Sequence, residues 1–148
     1  VPESAARLRV TLTGLISFAA TEEEILLTEV AQREDTGDVD SWAALPTIAH
    51  TSEFRGEQVQ RLRAIREGSR PPEFPRVEHG SPETYRRYSD RDAESVWATS
   101  RATNATLIDE TRRCADEDLL DPSRNPWLKG RQLWLQIIVR GFWHPTGH

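Results

Sequence analysis

The sequence predicts an all-α domain, an up-and-down four-helix bundle. Three observations carry this. Four segments place apolar residues at helical spacings of three and four. None shows convincing strand alternation. A length of 148 residues suits a single domain with one sizeable core spanning 1–148.

The first helix is expected from about Ser4 to Arg33. Leu8, Leu12, Leu15, Ala19, Leu26 and Val30 fall on one stripe. Gly14 weakens it by roughly 1 kcal/mol relative to alanine without breaking it. The stop is "REDTGDVDS", with acids, Gly37 and a capping candidate in Asp40 or Ser41. The second helix runs from Trp42 to about Glu67, lined by Leu45, Ile48, Ala49, Val59, Leu62 and Ile65. Pro46 falls in its first turn or so, where a missing N–H costs little, and Gly68 ends it. The four prolines of "SRPPEFPRVEHGSP" forbid regular structure in the next connection, and long connections often border a site.

The third helix is expected from Pro82 or Asp90 to Asp116. Ala93, Val96, Trp97, Leu107, Ile108 and Cys114 share a broad face that Ser100, Thr103 and Asn104 interrupt. "ADEDLLDPSRNPW" reads as a connection broken by Pro122 and Pro126. The fourth helix starts near Trp127 or Gly130 and continues through "RQLWLQIIVRGFWH".

Composition narrows the function classes. The chain is 36% hydrophobic and 29% charged, as soluble globular proteins are. The longest apolar run, "LWLQIIV", is far below the ~20 residues of a membrane span. The opening "VPESAARLRV" lacks a cleavable apolar region, so a cytoplasmic location is expected. The chain holds no methionine, so a processed or trimmed product is expected. Net charge is −5, and the arginines alternate with acids instead of forming a stripe, which disfavours a nucleic-acid binder. Arginine supplies 18 of the 19 basic residues, a bias typical of GC-rich coding sequence. Cys114 is the sole cysteine, which excludes an internal disulfide and a cysteine-based zinc knuckle; a small core residue is expected there.

Candidate chemistry lies with the histidines. His144 and His148 extend the inward line Leu133–Ile137–Gly141. An i, i+4 pair sets two imidazoles on one helix face, within reach of one ion. Taken alone, such a pair at a terminus reads as well as a histidine-rich tail. His50, beside the Leu45–Ala49 stripe of the second helix, reads alone as a core-edge histidine bonded to a backbone carbonyl. The three together favour a metal reading, because bundles build metal sites from facing helices. Three imidazoles would leave an open coordination position, the pattern of a catalytic site. His79 is expected in a solvated loop. Pro145 removes a hydrogen bond to the Gly141 carbonyl and, with Gly147, predicts a bent or loosened helix end at His144–His148.

"SWAALPTIAHTSEF", residues 41–54, and "NPWLKGRQLWLQIIVRGFWHPTGH", residues 125–148, resemble the two motifs of the DinB/YfiT-like superfamily. The first is a tryptophan opening the second helix with a metal-binding histidine about two turns later. The second is an HxxxH pair on the fourth helix. The resemblance implies a DinB-like four-helix bundle that often dimerises, so a homodimer is expected. It also implies a divalent ion, zinc or nickel, held by His50, His144 and His148, with Trp42 as a packing landmark. Its relatives include S-transferases that use mycothiol or bacillithiol, and a mycothiol-dependent maleylpyruvate isomerase. The implied function is transfer of a mycothiol-type thiol to a small electrophile. A hydrolase of the same fold, metal-independent or water-activating, is one alternative. A non-catalytic bundle that sequesters small molecules under stress is another.

Three further side chains are candidates for catalysis. Glu53 and Glu57, at i+3 and i+7 from His50, could orient an imidazole or act as a base, although a solvated face paired with arginines accounts for each. Arg140, one turn before His144, could hold a substrate carboxylate.

Overall fold

The computed structural model describes residues 2–30, 44–75 and 82–147. Every regular element among them is helical: α1 (Pro2–Val30), α2 (Ala44–Arg66), α3 (Pro82–Ser89), α4 (Ala93–Arg113), α5 (Asp116–Leu120), a 3-10 turn (Pro126–Leu128), α6 (Leu133–Ile138), a π-helical turn (Val139–Trp143) and α7 (His144–Thr146). No described helix is long and apolar enough to cross a membrane.

The long helices follow local signals. Pro46 sits in the first turn of α2, where its absent N–H has no partner to lose. Gly68 closes α2 in the left-handed region at φ 69°. The Ser69 N–H reaches the Ala64 carbonyl at 2.8 Å and the Gly68 N–H reaches Ile65 at 3.0 Å, so two terminal carbonyls are satisfied. Of the two expected starts for the third helix, Asp90 is near the observed one, and residues from Pro82 form a separate helix. Asp92 is extended and accepts from the Ser95 N–H at 2.8 Å, capping α4 and ending continuity with α3. The last long helix starts at Leu133, later than expected. Lys129 (φ 54°) and Gly130 (φ 80°) are both left-handed and interrupt the path after the 3-10 turn. The short α5 forms inside the expected connection, with Asp116, Glu117 and Asp118 in its first turn favouring the positive helix end. Arg9 of α1 ties this corner down by donating to the Cys114 carbonyl and to Asp116.

α4 packs against both α1 and α2, and the C-terminal elements close against α1. Apolar burial falls into two clusters. One gathers Leu12, Ile16, Val59, Leu62, Leu107, Leu133 and Ile137 with their neighbours. The other gathers Leu27, Ile48, Ala49, Tyr88 and Val96. Cys114 belongs to the first as a small core residue, and burial pushes its thiol up to about 12. On α1 the buried line is Leu12–Ile16–Ala19–Glu23–Leu27, whereas Leu26, expected on the stripe, is 41% exposed.

Between the two clusters lies a polar layer. Glu23 is buried, and Arg55 of α2 is fully buried against it. Arg55 donates to both carboxylate oxygens, at 2.5 and 2.9 Å. Thr51 (3.2 Å), Ser100 (2.8 Å) and Asn104 (3.3 Å) add donors to the same carboxylate. The small polar residues that interrupt the apolar face of α4 are therefore partners of this charge. A buried carboxylate is tolerable only when paired and hydrogen-bonded in this way.

Where the C-terminal helix meets α1, residue 141 must be glycine. A Cβ there would lie 2.7 Å from Ile16 Cγ1 and 3.1 Å from Leu107 Cδ2. Around this contact the backbone widens into the π-helical turn, and the His144 N–H bonds the Val139 carbonyl five residues back. The irregularity expected at His144–His148 thus begins upstream, at Val139–Trp143. His144–Thr146 is α-helical, and His148 lies outside the described residues.

Two stability outcomes follow from these contacts. Glu23→Ala strands a buried guanidinium and is expected to cost about 3–5 kcal/mol in urea unfolding; a loss below about 1 kcal/mol would show that the layer is not buried. Gly141→Ala is expected to cost about 1–3 kcal/mol through overpacking. Ile16→Ala removes the Cγ1 that such a Cβ would meet, so the double variant should lose less than the sum of the two single losses, and strict additivity would contradict the close contact.

Candidate metal centre

His50 is wholly buried in the second turn of α2. α7 carries His144 to the same place. Their Nε2 atoms face each other at 3.2 Å, and their ring centroids are 4.9 Å apart. The structure therefore brings together two of the three expected ligands. His148, together with Trp42 and His79, lies outside the described residues.

An Nε2–Nε2 approach of this length allows two arrangements. One ring can donate an N–H to the other. Alternatively, both lone pairs can address one cation. With zinc–nitrogen bonds of about 2.0–2.1 Å and tetrahedral angles, two ligating nitrogens stand about 3.3 Å apart. The observed 3.2 Å fits that span. Among the described residues, no group of three or more His, Cys, Asp or Glu side chains gathers for a metal. What the described residues form is a pair of facing imidazoles.

Aromatic rings enclose it. Phe54, one turn after His50, meets both imidazoles edge-on, with centroids 4.7 Å from His50 and 4.8 Å from His144. Tyr88, at the end of α3, approaches His50 to 5.2 Å. Burial, and then the neighbouring Glu53 carboxylate, push the Tyr88 phenol up to about 12, so it is neutral at ordinary pH. Sequence reasoning did not single out either ring. Phe54 was accessible as the i+4 neighbour of His50, whereas Tyr88 reaches the centre only through tertiary packing of α3.

The three other candidate side chains form the surroundings. Glu53 turns toward α3, accepting from Arg87 at 2.5 Å with Arg91 at 3.5 Å. Glu57 is only 7% exposed, more enclosed than a solvated helix face. Its oxygen lies 3.8 Å from the Arg140 guanidinium, a long ion pair. Arg140 stacks on the Phe54 ring at 4.3 Å. Phe54 thus has the histidine pair at its edges and a cation over its face.

Burial raises the Glu57 carboxyl above its usual 4.5, and Arg140 followed by Arg61 oppose that rise. Burial likewise lowers Arg140, with Glu57 pulling it back up. Two partly desolvated arginines thus lean on one carboxylate.

Comparison with protein families, with curated proteins and with solved structures finds no match to this chain.

Because the folded chain holds the Glu57 proton more tightly than an unfolded one, the protonated carboxyl stabilises the fold. That contribution is complete below pH 4.5 and is lost as pH rises through the raised folded value. Glu57→Gln should remove this loss from the pH dependence of Tm. Arg140→Gln should raise the Glu57 pKa further, read by carbon NMR of the side-chain carboxyl; a fall would show that Arg140 does not act on Glu57.

Proposed function

We propose that this chain is a DinB/YfiT-like four-helix bundle and a divalent-metal-dependent enzyme. On this reading it transfers a low-molecular-weight thiol of the mycothiol type to an electrophilic small molecule. The observation that carries the reading is the 3.2 Å approach of His50 Nε2 to His144 Nε2, from helices 94 residues apart in sequence, at the spacing two ligands of one ion require. The motif resemblance adds His148 as the third ligand.

His50, His144 and His148 would hold the ion, which is zinc or nickel. When bound, it lowers the pKa of a coordinated thiol or water, so that a nucleophile exists at neutral pH. The remaining work belongs to the chain. Phe54 and Tyr88 keep bulk water from the buried side of His50 and fix the ring planes. Glu57, whose carboxyl burial raises above its usual value, is a candidate for proton transfer. The buried layer around Glu23 holds α2 against α1 and α4 and so fixes the height at which His50 is presented.

Metal analysis of the chain after equilibration with zinc or nickel is the test. One ion per chain is expected, falling to a small fraction in His50→Ala and in His144→Ala. Transfer of mycothiol to a fluorogenic electrophile should require the ion and stop with a chelator. If His50→Ala binds as much metal as the parent protein, the reading fails. Stoichiometric metal without turnover would favour the sequestering alternative, and chelator-insensitive hydrolysis the metal-independent one.

A further inference from the structure

A cleft of about 400 Å³ opens between the 3-10 turn and the outer side of α6 and the π-helical turn. Its size falls within the range of small-molecule sites. One wall is the Trp127 indole, and Val139 adds apolar surface opposite. Three cations line it, Lys129, Arg131 and Arg140, and no lining residue is a carboxylate. In a chain of net charge −5 that is a local inversion of sign. Lys129 is also the only lysine of the chain.

Two of these cations have no carboxylate partner among the described residues, and Arg140 is shared with the Phe54 ring and Glu57. Among the described residues, neither Lys129 nor Arg131 makes an ion pair, and the nearest carboxylate oxygen to Arg140 is the long 3.8 Å contact with Glu57. A fourth cation, Arg61, stacks over Trp127 at 5.9 Å and over Phe74 at 4.9 Å. Its Nη1, a donor, is buried without a hydrogen-bond partner among the described residues. Buried polar atoms of this kind ordinarily have partners. Lys129 holds a left-handed conformation at the rim, and it is the only non-glycine residue with positive φ among those described. Backbone strain of that sort collects at ligand-binding positions.

We infer that this cleft binds a small organic anion with a flat apolar body, its carboxylate or equivalent group met by Lys129, Arg131 and Arg140 and its body lying on the Trp127 indole. Arginine pairs well with planar oxyanions and stacks on aromatic faces, and this cleft offers both surfaces together. The inference is independent of whether an ion sits between His50 and His144. It places the anion beside Arg140, which touches both the cleft and the Phe54 ring that meets the histidine pair.

The probe is 1-naphthoate, titrated into the isotope-labelled full chain and followed by NMR, with uncharged 1-naphthalenemethanol as control. Saturable shifts are expected at the Trp127 indole N–H and the Gln136 side-chain amide. The control should bind at least about tenfold more weakly, because charge-assisted bonds to the carboxylate are missing. Lys129 and Arg131 are exposed, so the double variant K129Q/R131Q should fold normally and bind naphthoate at least about tenfold more weakly. Equal binding of acid and alcohol, undiminished binding by the double variant, or shifts that map elsewhere would each overturn the assignment. Naphthoate should bind equally with zinc added and with a chelator present, which separates failure here from failure of the metal reading.

Discussion

The ion pair between Glu23 and Arg55 is the constraint on which the rest of the fold depends. Both charges are buried, and the carboxylate is met by donors from α2 and α4 as well as by the guanidinium. Desolvating two charges costs several kcal/mol per ion, and only complete pairing offsets it. Apolar surfaces tolerate sliding by a turn, because one leucine contact resembles another. A carboxylate that needs four side chains does not. The layer therefore fixes the axial register of α1, α2 and α4, while the apolar clusters on either side supply the burial.

That register reaches the candidate centre directly. His50 lies one residue before Thr51 and five before Arg55, on a helix whose height the charge layer sets. His144 arrives from the other end of the chain, along a helix allowed close to α1 by Gly141. Two independent packing constraints thus converge on one pair of nitrogen atoms, and Phe54 buttresses both rings. Arg140 stacks on the same phenyl ring and also lines the cationic cleft.

Much of the helical framework was legible from spacing, because burial repeats every three or four residues. The misplacements have physical causes. Leu26 and Leu27 are adjacent, and a search for apolar stripes prefers Leu26, since the line through Leu27 contains Glu23. Only knowledge of Arg55, 32 residues away, makes a carboxylate acceptable there. Ser100 and Asn104 read as interruptions for the same reason. The break between α3 and α4 had a local signal, Asp92 three residues before Ser95, which the apolar periodicity on both sides obscured. His50 and His144 were recognisable by residue type and spacing. Tyr88 and the cationic cleft depend on which surfaces meet in three dimensions, which no local pattern encodes. Pro145 misplaced the irregularity: His144–Thr146 is α-helical, and the wider turn lies upstream at Val139–Trp143.

The π-helical turn at Val139–Trp143 also works as a phase shifter. An extra residue in one turn rotates everything beyond it by roughly a third of a revolution, relative to an uninterrupted α-helix. The aliphatic seam of Leu133 and Ile137 and the imidazole of His144 can therefore point inward at different levels without one dictating the angle of the other. The last helix is in effect two instruments on one shaft, one for packing and one for chemistry. Forcing the same residues into a regular α-helix would leave the core seam in place, yet turn the imidazole away from His50.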